Sequence, residues 1–220
     1  MKNTIIFGNG EFASIAKYYF SDREIKFFCV DDKFYKDKTF ENVPVIPQSE
    51  LLKMDKSSIE LFVSLSYKKM NTIRANKYLE LKQLGFEFTS FIHKESYISN
   101  ISNIGENCFI LENQNIQRNV KIKNNVFMWS GNHIGHNSII KDHTYLSSHV
   151  VISGNCEIGE KCFFGVNSAV KDATTIGDEC MIGMGANVIK NLKKGSVVIS
   201  EKSQIYDSGE KISKLIKYKV

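Results

Sequence analysis

Every sixth residue from Ile98 to Val188 is apolar: Ile98, Ile104, Ile110, Ile116, Ile122, Met128, Ile134, Ile140, Leu146, Ile152, Ile158, Phe164, Val170, Ile176, Ile182 and Val188. An amphipathic helix repeats at about 3.6 residues and a half-buried strand at two, so an unbroken period of six fits neither. It fits a solenoid. Three sides of six residues close a triangular coil, the large aliphatic points inward, and successive coils bond to one another as parallel strands.

Four residues after each aliphatic comes mostly a small or β-branched side chain, such as Cys108, Val126, Ser138, Thr144, Cys156, Cys162, Ser168 and Cys180. A tight corner would demand this. Four of the five cysteines fall in that place, which reads them as packing residues. With Cys29 the number is odd and no C-x-x-C pair occurs, so a disulfide framework or zinc ribbon is not expected and a reducing cytoplasm is. His143 and His149 hold the fourth place of successive hexads, hence different faces of one prism, and no metal site is expected.

Ahead of the repeats the pattern changes. "TIIFGNGEFASIAKYYF" reads as strand, glycine turn and helix, with Gly8, Asn9 and Gly10 in the turn. A second apolar run, "IKFFCVDD", ends in Asp31 and Asp32, followed by Lys33; a third, "IELFVSLSY", leads into an amphipathic helix that stops at Gly85. A small Rossmann-like βαβ domain is implied. Fewer than ninety residues cannot hold a full dinucleotide fold, and G-x-G lacks the third glycine, so NAD is not indicated. The expected organisation is 1–93 for this domain, 94–195 for the solenoid of six-residue repeats, and 196–220 for a C-terminal tail.

No apolar run approaches a signal peptide or membrane span. The formal net charge is +5, and Lys190 to Val220 alone carries eight lysines against Glu201, Asp207 and Glu210. That tail reads as a solvated terminal helix, with Ser208 as its candidate N-cap, or as a source of a few phosphate contacts, and neither nucleic acid nor membrane is expected as partner.

From about Ile98 to Val188 the chain resembles the hexapeptide-repeat acyltransferases, which implies a left-handed parallel β-helix of hexapeptide repeats for 94–195 and a nucleotide-sugar-binding role for the Rossmann-like domain 1–93. The order of its parts is similar to the sugar N- and O-acyltransferase branch, which includes acetyltransferases of nucleotide-linked amino sugars and sialic-acid O-acetyltransferases. The resemblance implies a cytoplasmic homotrimer with active sites between subunits, acetyl-CoA as acyl donor, and a nucleotide-linked amino sugar as acceptor. The leading expectation is N-acetylation of a nucleotide-linked 4-amino-6-deoxy sugar for bacterial surface glycans such as lipopolysaccharide. O-acetylation of a sugar hydroxyl and a non-catalytic β-helix scaffold are the alternatives.

On the segment "WSGNHIGHNS" the resemblance assigns His136 as catalytic base and, one coil on, Gly154 as the backbone N–H that steadies the thioester oxygen. Its hexad frame puts His136 outward on a flat face and His133, a second candidate for substrate contact, in the preceding corner. Relatives often carry an acid directly after the base; here Asn137 can orient the imidazole but cannot offset its charge. The nucleotide sugar is expected on Gly8, Asn9, Gly10, Asp31, Asp32 and Lys33, and on Ser64, Tyr67, Asn71 and Arg74 of "SLSYKKMNTIR". His93, in the joint, reads as packing. For CoA, Gly165, Gly183 and Ala186 would leave room for the pantetheine arm beside Gly154, and Lys190, Lys193 and Lys194 would meet phosphates. Where relatives often have a G-x-P-A turn, Glu201, Lys202 and Ser203 stand instead.

Overall fold

The computed structural model describes residues 2–202. The expected helix capped by Ser208 lies outside them.

The N-terminal part is a five-stranded sheet: β1 (Asn3–Phe7), β2 (Ile25–Val30), β3 (Thr39–Phe40), β4 (Val43–Pro47) and β5 (Ile59–Val63), in the order β3-β4-β2-β1-β5. All pairings are parallel except β3 with β4. Helix α1 (Glu11–Tyr19) follows β1, a short α2 (Gln48–Leu51) follows β4, and α3 (Thr72–Gln83) follows β5. The chain leaves β1 to one side for β2 and β4, then returns to its other side for β5. The carboxyl ends of β1 and β5 therefore flank the point where the winding reverses, the place where open α/β sheets form a crevice.

The rest is a left-handed parallel β-helix of two-residue strands. One face is a seven-stranded sheet running from Phe91–Ile92 to Val197–Val198, the second has six strands from Tyr97–Ile98 to Asn187–Val188, and the third has four from Lys121–Ile122 to Thr175–Ile176. Each strand pairs with the one a coil later, as Phe127 with Tyr145 and His133 with Val151. The hexad aliphatics from Ile110 to Val188 form one continuous core, with Cys108, Cys156, Cys162 and Cys180 packed inside it. Strand pairing begins at Phe91 and ends at Val198, so the solenoid reaches beyond 94–195 at both ends.

The turns do not lie where the hexad reading expected them. Each is made by the third and fourth residues, and the fourth is in the left-handed region: Asn107, Asn113, Asn119, Asn125, Asn137, His143, His149, Asn155, Lys161, Asn167, Ala173 and Glu179 all have φ between 53 and 66°. Asparagine tolerates this conformation better than most residues because its short amide bonds locally. The small fifth residue lies buried beneath the turn. Its hydroxyl often reaches the next coil, as Ser138 Oγ does to the Ser153 carbonyl at 3.0 Å.

The two parts are packed firmly. Outward aromatics Phe91, Phe109, Phe127 and Tyr145 of the seven-stranded face meet Phe62, Phe20 and Tyr19, with Phe62 stacked on Phe127 at 5.7 Å. His93 adds an edge contact to Tyr19.

Candidate active site

The sheet brings three predicted segments to one edge. Gly8 follows β1 with φ +125°, and a Cβ there would stand 3.1 Å from the Ser64 carbonyl at the end of β5. Only glycine suits both the conformation and the approach. Gly10, the extended N-cap of α1, has open space around it, and no side chain caps the helix start. Asp31 and Asp32 follow β2. Asp31 accepts from Lys77 Nζ at 2.6 Å, and Asp32 accepts from the Ser49 N–H at 2.9 Å, with Gln48 and Leu52 completing a shallow hollow. Lys77 is held above its usual pKa by the Asp31 and Glu80 carboxylates, which outweigh its partial burial. Lys33 lies exposed over the Phe34 ring. Asn9 is half-buried beside these groups.

Two residues expected on the ligand are elsewhere. Arg74 is wholly buried at the joint between the parts, its guanidinium carbon 4.2 Å from the Phe127 centroid. It donates to Asn125 Oδ1 at 3.2 Å and to the His143 carbonyl at 2.8 Å, and burial pushes its pKa down to about 9. Asn71, equally buried and at φ 61°, donates to the Cys162 carbonyl at 3.1 Å. Both are bolts between α3 and the β-helix. The solenoid covers both. Ser64 is buried too, its hydroxyl donating to the Phe12 carbonyl. Tyr67, by contrast, is 46% exposed and lies on the outward rings Tyr145 and Phe163 of the solenoid at 5.0 and 5.1 Å.

His136 sits in a turn and not on a flat face, at the corner between the strands His133–Ile134 and Ile139–Ile140. Its N–H donates to Gln117 Oε1 at 2.9 Å and its carbonyl accepts from the Asn155 N–H at 2.8 Å. The imidazole edge lies over Gly154: a Cβ at 154 would be 2.8 Å from both Nε2 and Cε1 and 3.0 Å from Asp172 Oδ1. Among the described residues the Gly154 N–H has no hydrogen-bond acceptor. Asn137 Nδ2 stands 3.2 Å from His136 Nδ1. His133 is the outward residue of its strand, half-buried between Asn115 and Val151, and not a corner residue.

The glycines expected to line the pantetheine groove also have a packing role. A Cβ on Gly165 would meet the Met184 backbone nitrogen at 2.5 Å, and one on Gly183 the Val198 carbonyl at 3.1 Å, so these glycines let coil stack on coil. Ala186 is buried in the solenoid core. Lys190, Lys193 and Lys194 are exposed beside the last coils, with Lys194 Nζ 3.4 Å from Glu179 Oε2. Among the described residues no cluster of three His, Cys, Asp or Glu is placed to hold a metal ion.

The description "Hexapeptide repeat of succinyl-transferase" matches residues 157–189. PerB from Caulobacter crescentus, solved with CoA and GDP-perosamine, superposes with a TM-score of 0.78 at 20% identity, covering 90% of this chain and 93% of its own. The chain shares the fold of that protein. The acetyltransferase domain of PglB from Neisseria gonorrhoeae FA1090 superposes with a TM-score of 0.75 at 19% identity, covering 90% of this chain and 96% of that one. WeeI from Acinetobacter baumannii AYE does so at 0.58 and 16%, covering 91% and 97%. No curated protein matches the chain by sequence.

Two features of the site escaped the hexad reading although both have a sequence signal. The outward aromatics Phe91, Phe109, Phe127, Tyr145 and Phe163 recur one coil apart, each next to an inward aliphatic, and mark the face that receives the N-terminal part. The fourth-place asparagines likewise recur in columns. Asn119, Asn137 and Asn155 form the column beside His136, where Asn119 Nδ2 donates to Asn137 Oδ1 and Asn137 Nδ2 to Asn155 Oδ1, both at 3.1 Å.

Proposed function

We propose that this chain is an acetyl-CoA-dependent N-acetyltransferase acting on a nucleotide-linked 4-amino-6-deoxy sugar, in the cytoplasmic assembly of bacterial surface glycans. The observation that carries the reading is the imidazole of His136 lying against Gly154 on an accessible corner of this fold. PerB, which shares the fold, is described in complex with CoA and GDP-perosamine, and a variant of it is described as a perosamine N-acetyltransferase. Among the described residues no helix is long and apolar enough to cross a membrane.

The sugar amine attacks the thioester carbonyl carbon of acetyl-CoA, forming the C–N bond. His136 Nε2 takes the amine proton as that bond forms, since a neutral imidazole is a suitable acceptor near pH 7. Negative charge gathers on the carbonyl oxygen, where the unpaired Gly154 N–H offers a fixed donor. The C–S bond then breaks, the imidazolium returns the proton to the thiolate, and amide and CoA thiol leave. The crevice around Gly8, Asn9, Gly10, Asp31 and Asp32 would hold the nucleotide. Lys190, Lys193 and Lys194 would meet phosphates of CoA.

The working unit in this reading is a homotrimer. The N-terminal part covers the seven-stranded face, whereas His136 occupies the corner between the other two faces, on the far side of the prism. Within one chain the crevice and His136 thus belong to different sides of the prism. A site between copies joins them, with the crevice of one facing the corner of the next.

Thiol release from acetyl-CoA tests the reading, with a panel of UDP-, dTDP- and GDP-linked 4-amino-6-deoxy sugars. Turnover on a panel member that collapses in His136→Ala supports it. CoA binding without turnover of any amino sugar overturns it.

A further inference from the structure

Asparagine amides stacked one coil apart make ladders at two corners of this solenoid, and each ladder bonds a histidine ring, His143 at the end of one and His136 at the middle rung of the other. At the corner under α3, Asn107 Nδ2 donates to Asn125 Oδ1 at 2.8 Å, and Asn125 Nδ2 is 2.9 Å from His143 Nδ1. The direction of this ladder is fixed from outside. The Val63 N–H donates to Asn107 Oδ1 at 2.7 Å and Arg74 Nε donates to Asn125 Oδ1, so both oxygens are held as acceptors. His143 Nδ1 must therefore accept, and its proton sits on Nε2. Consistent with a ring kept neutral, burial pulls the His143 pKa down to about 4.

At the opposite corner the same arrangement has no such pins. Asn119 Nδ2 donates to Asn137 Oδ1, and Asn137 Nδ2 reaches both Asn155 Oδ1 and His136 Nδ1, at 3.1 and 3.2 Å. Among the described residues no other group bonds the free amide atoms of Asn119 or Asn155, and both side chains are exposed. Turning all three amides over preserves every bond of the ladder while exchanging donor for acceptor at each step. In the first direction His136 Nδ1 accepts and Nε2 carries the proton. In the reversed direction Asn155 Nδ2 and His136 Nδ1–H both donate to Asn137 Oδ1, Asn137 Nδ2 donates to Asn119 Oδ1, and Nε2 is left as a free base.

We propose that Asn119, Asn137 and Asn155 form a reversible amide ladder that selects the tautomer of His136, with Asn119 and Asn155 as positioning residues at its two ends. It supplies without charge the orienting partner that an acidic residue at 137 would have fixed in one direction. The inference rests on the reading of His136 as the base only for its consequence in turnover; the tautomer itself is a property of the unliganded protein.

The test replaces either end by the residue that can only accept. In Asn119→Asp, Asn137 must turn its NH2 toward the new carboxylate at 119, which presents Oδ1 to His136 and places the proton on Nδ1. In Asn155→Asp, Asn137 must keep its NH2 toward the new carboxylate at 155, which leaves Nδ1 an acceptor and the proton on Nε2. The two variants add the same charge at the same kind of turn, yet the ladder requires opposite tautomers. Ring 15N chemical shifts of His136 in the intact protein near pH 8.5, where an ordinary imidazole is neutral, read this directly. Opposite shifts in the two variants support the ladder; equal shifts, or none, overturn it whatever the activity. With the tautomers split, kcat on the acceptor sugar is expected to be at least tenfold lower in Asn155→Asp than in Asn119→Asp. A tautomer split with kcat equal in the two leaves the ladder standing and removes His136 as the base.

Discussion

The ring of His136 rests on the α-carbon of Gly154, one coil further along, so closely that a methyl group at 154 would lie 2.8 Å from Nε2. Gly154→Ala must therefore push the imidazole away from the atom on which the proposed chemistry turns. His136 is only half-buried and its turn is bonded through the backbone, so the fold has room to yield. The expected result is a loss of roughly 10–100-fold in kcat with the melting temperature changed by no more than a few degrees. Paired steady-state kinetics and thermal melts check it.

Arg74 contributes through the joint between the two parts. Its guanidinium satisfies carbonyls of two coils and covers the Phe127 ring, and one of its nitrogens, Nη1, has no partner among the described residues. Arg74→Ala removes those donors and leaves a cavity in a covered interface. The expected cost is about 2–4 kcal/mol, or roughly 5–15 °C in apparent melting temperature. A loss of CoA or nucleotide affinity without this destabilisation would return Arg74 to the ligand.

His143 gives the fold an acid limit. The native state keeps the ring neutral down to about pH 4, because burial opposes its charge, whereas the unfolded chain takes up the proton from about pH 6.5. Stability from this group is full above pH 6.5 and declines as the pH falls toward 4, by about 3 kcal/mol in all. His143→Asn, which places at φ 66° the residue already found at 107 and 125 of the same corner, abolishes that decline. Denaturant unfolding of both proteins between pH 7 and pH 4 measures the difference between the two slopes.

Ala173 occupies a left-handed turn at φ 54° in the column that otherwise holds Asn119, Asn137 and Asn155. Alanine has no side-chain amide to offset that conformation. Ala173→Gly is expected to stabilise by about 1 kcal/mol, and Ala173→Asn by a similar amount if its amide joins Asn155. Differential scanning calorimetry should register an upward shift of a few degrees.

The solenoid was legible because one physical constraint, an inward side chain every six residues, acts on each coil in turn and leaves the same mark in the sequence. The crevice was partly legible for a similar reason, since glycines after β1 and acids after β2 fall at strand ends whatever the partner. Asn71 and Arg74 misled because a polar helix start looks alike whether it faces a ligand or a neighbouring coil; only the position of α3 over the seven-stranded face decides between them. Gly165 and Gly183 were ambiguous in the opposite sense, as room for a backbone reads in sequence like room for a ligand. The turn positions were misassigned because small buried residues were expected at corners, whereas the left-handed asparagines that make the corners precede them by one residue.

Catalysis between copies requires that His136 of one chain serve the crevice of another. His136→Ala and Asp32→Lys chains, each expected to be inactive alone, can be unfolded, mixed in equal amounts and refolded, and thiol release from acetyl-CoA then measured with the accepted amino sugar. Random assembly gives about one quarter of the sites an intact crevice facing an intact histidine, so about one quarter of the native rate is predicted. A mixture as inactive as its two parents, in trimers that have exchanged chains, would contradict it.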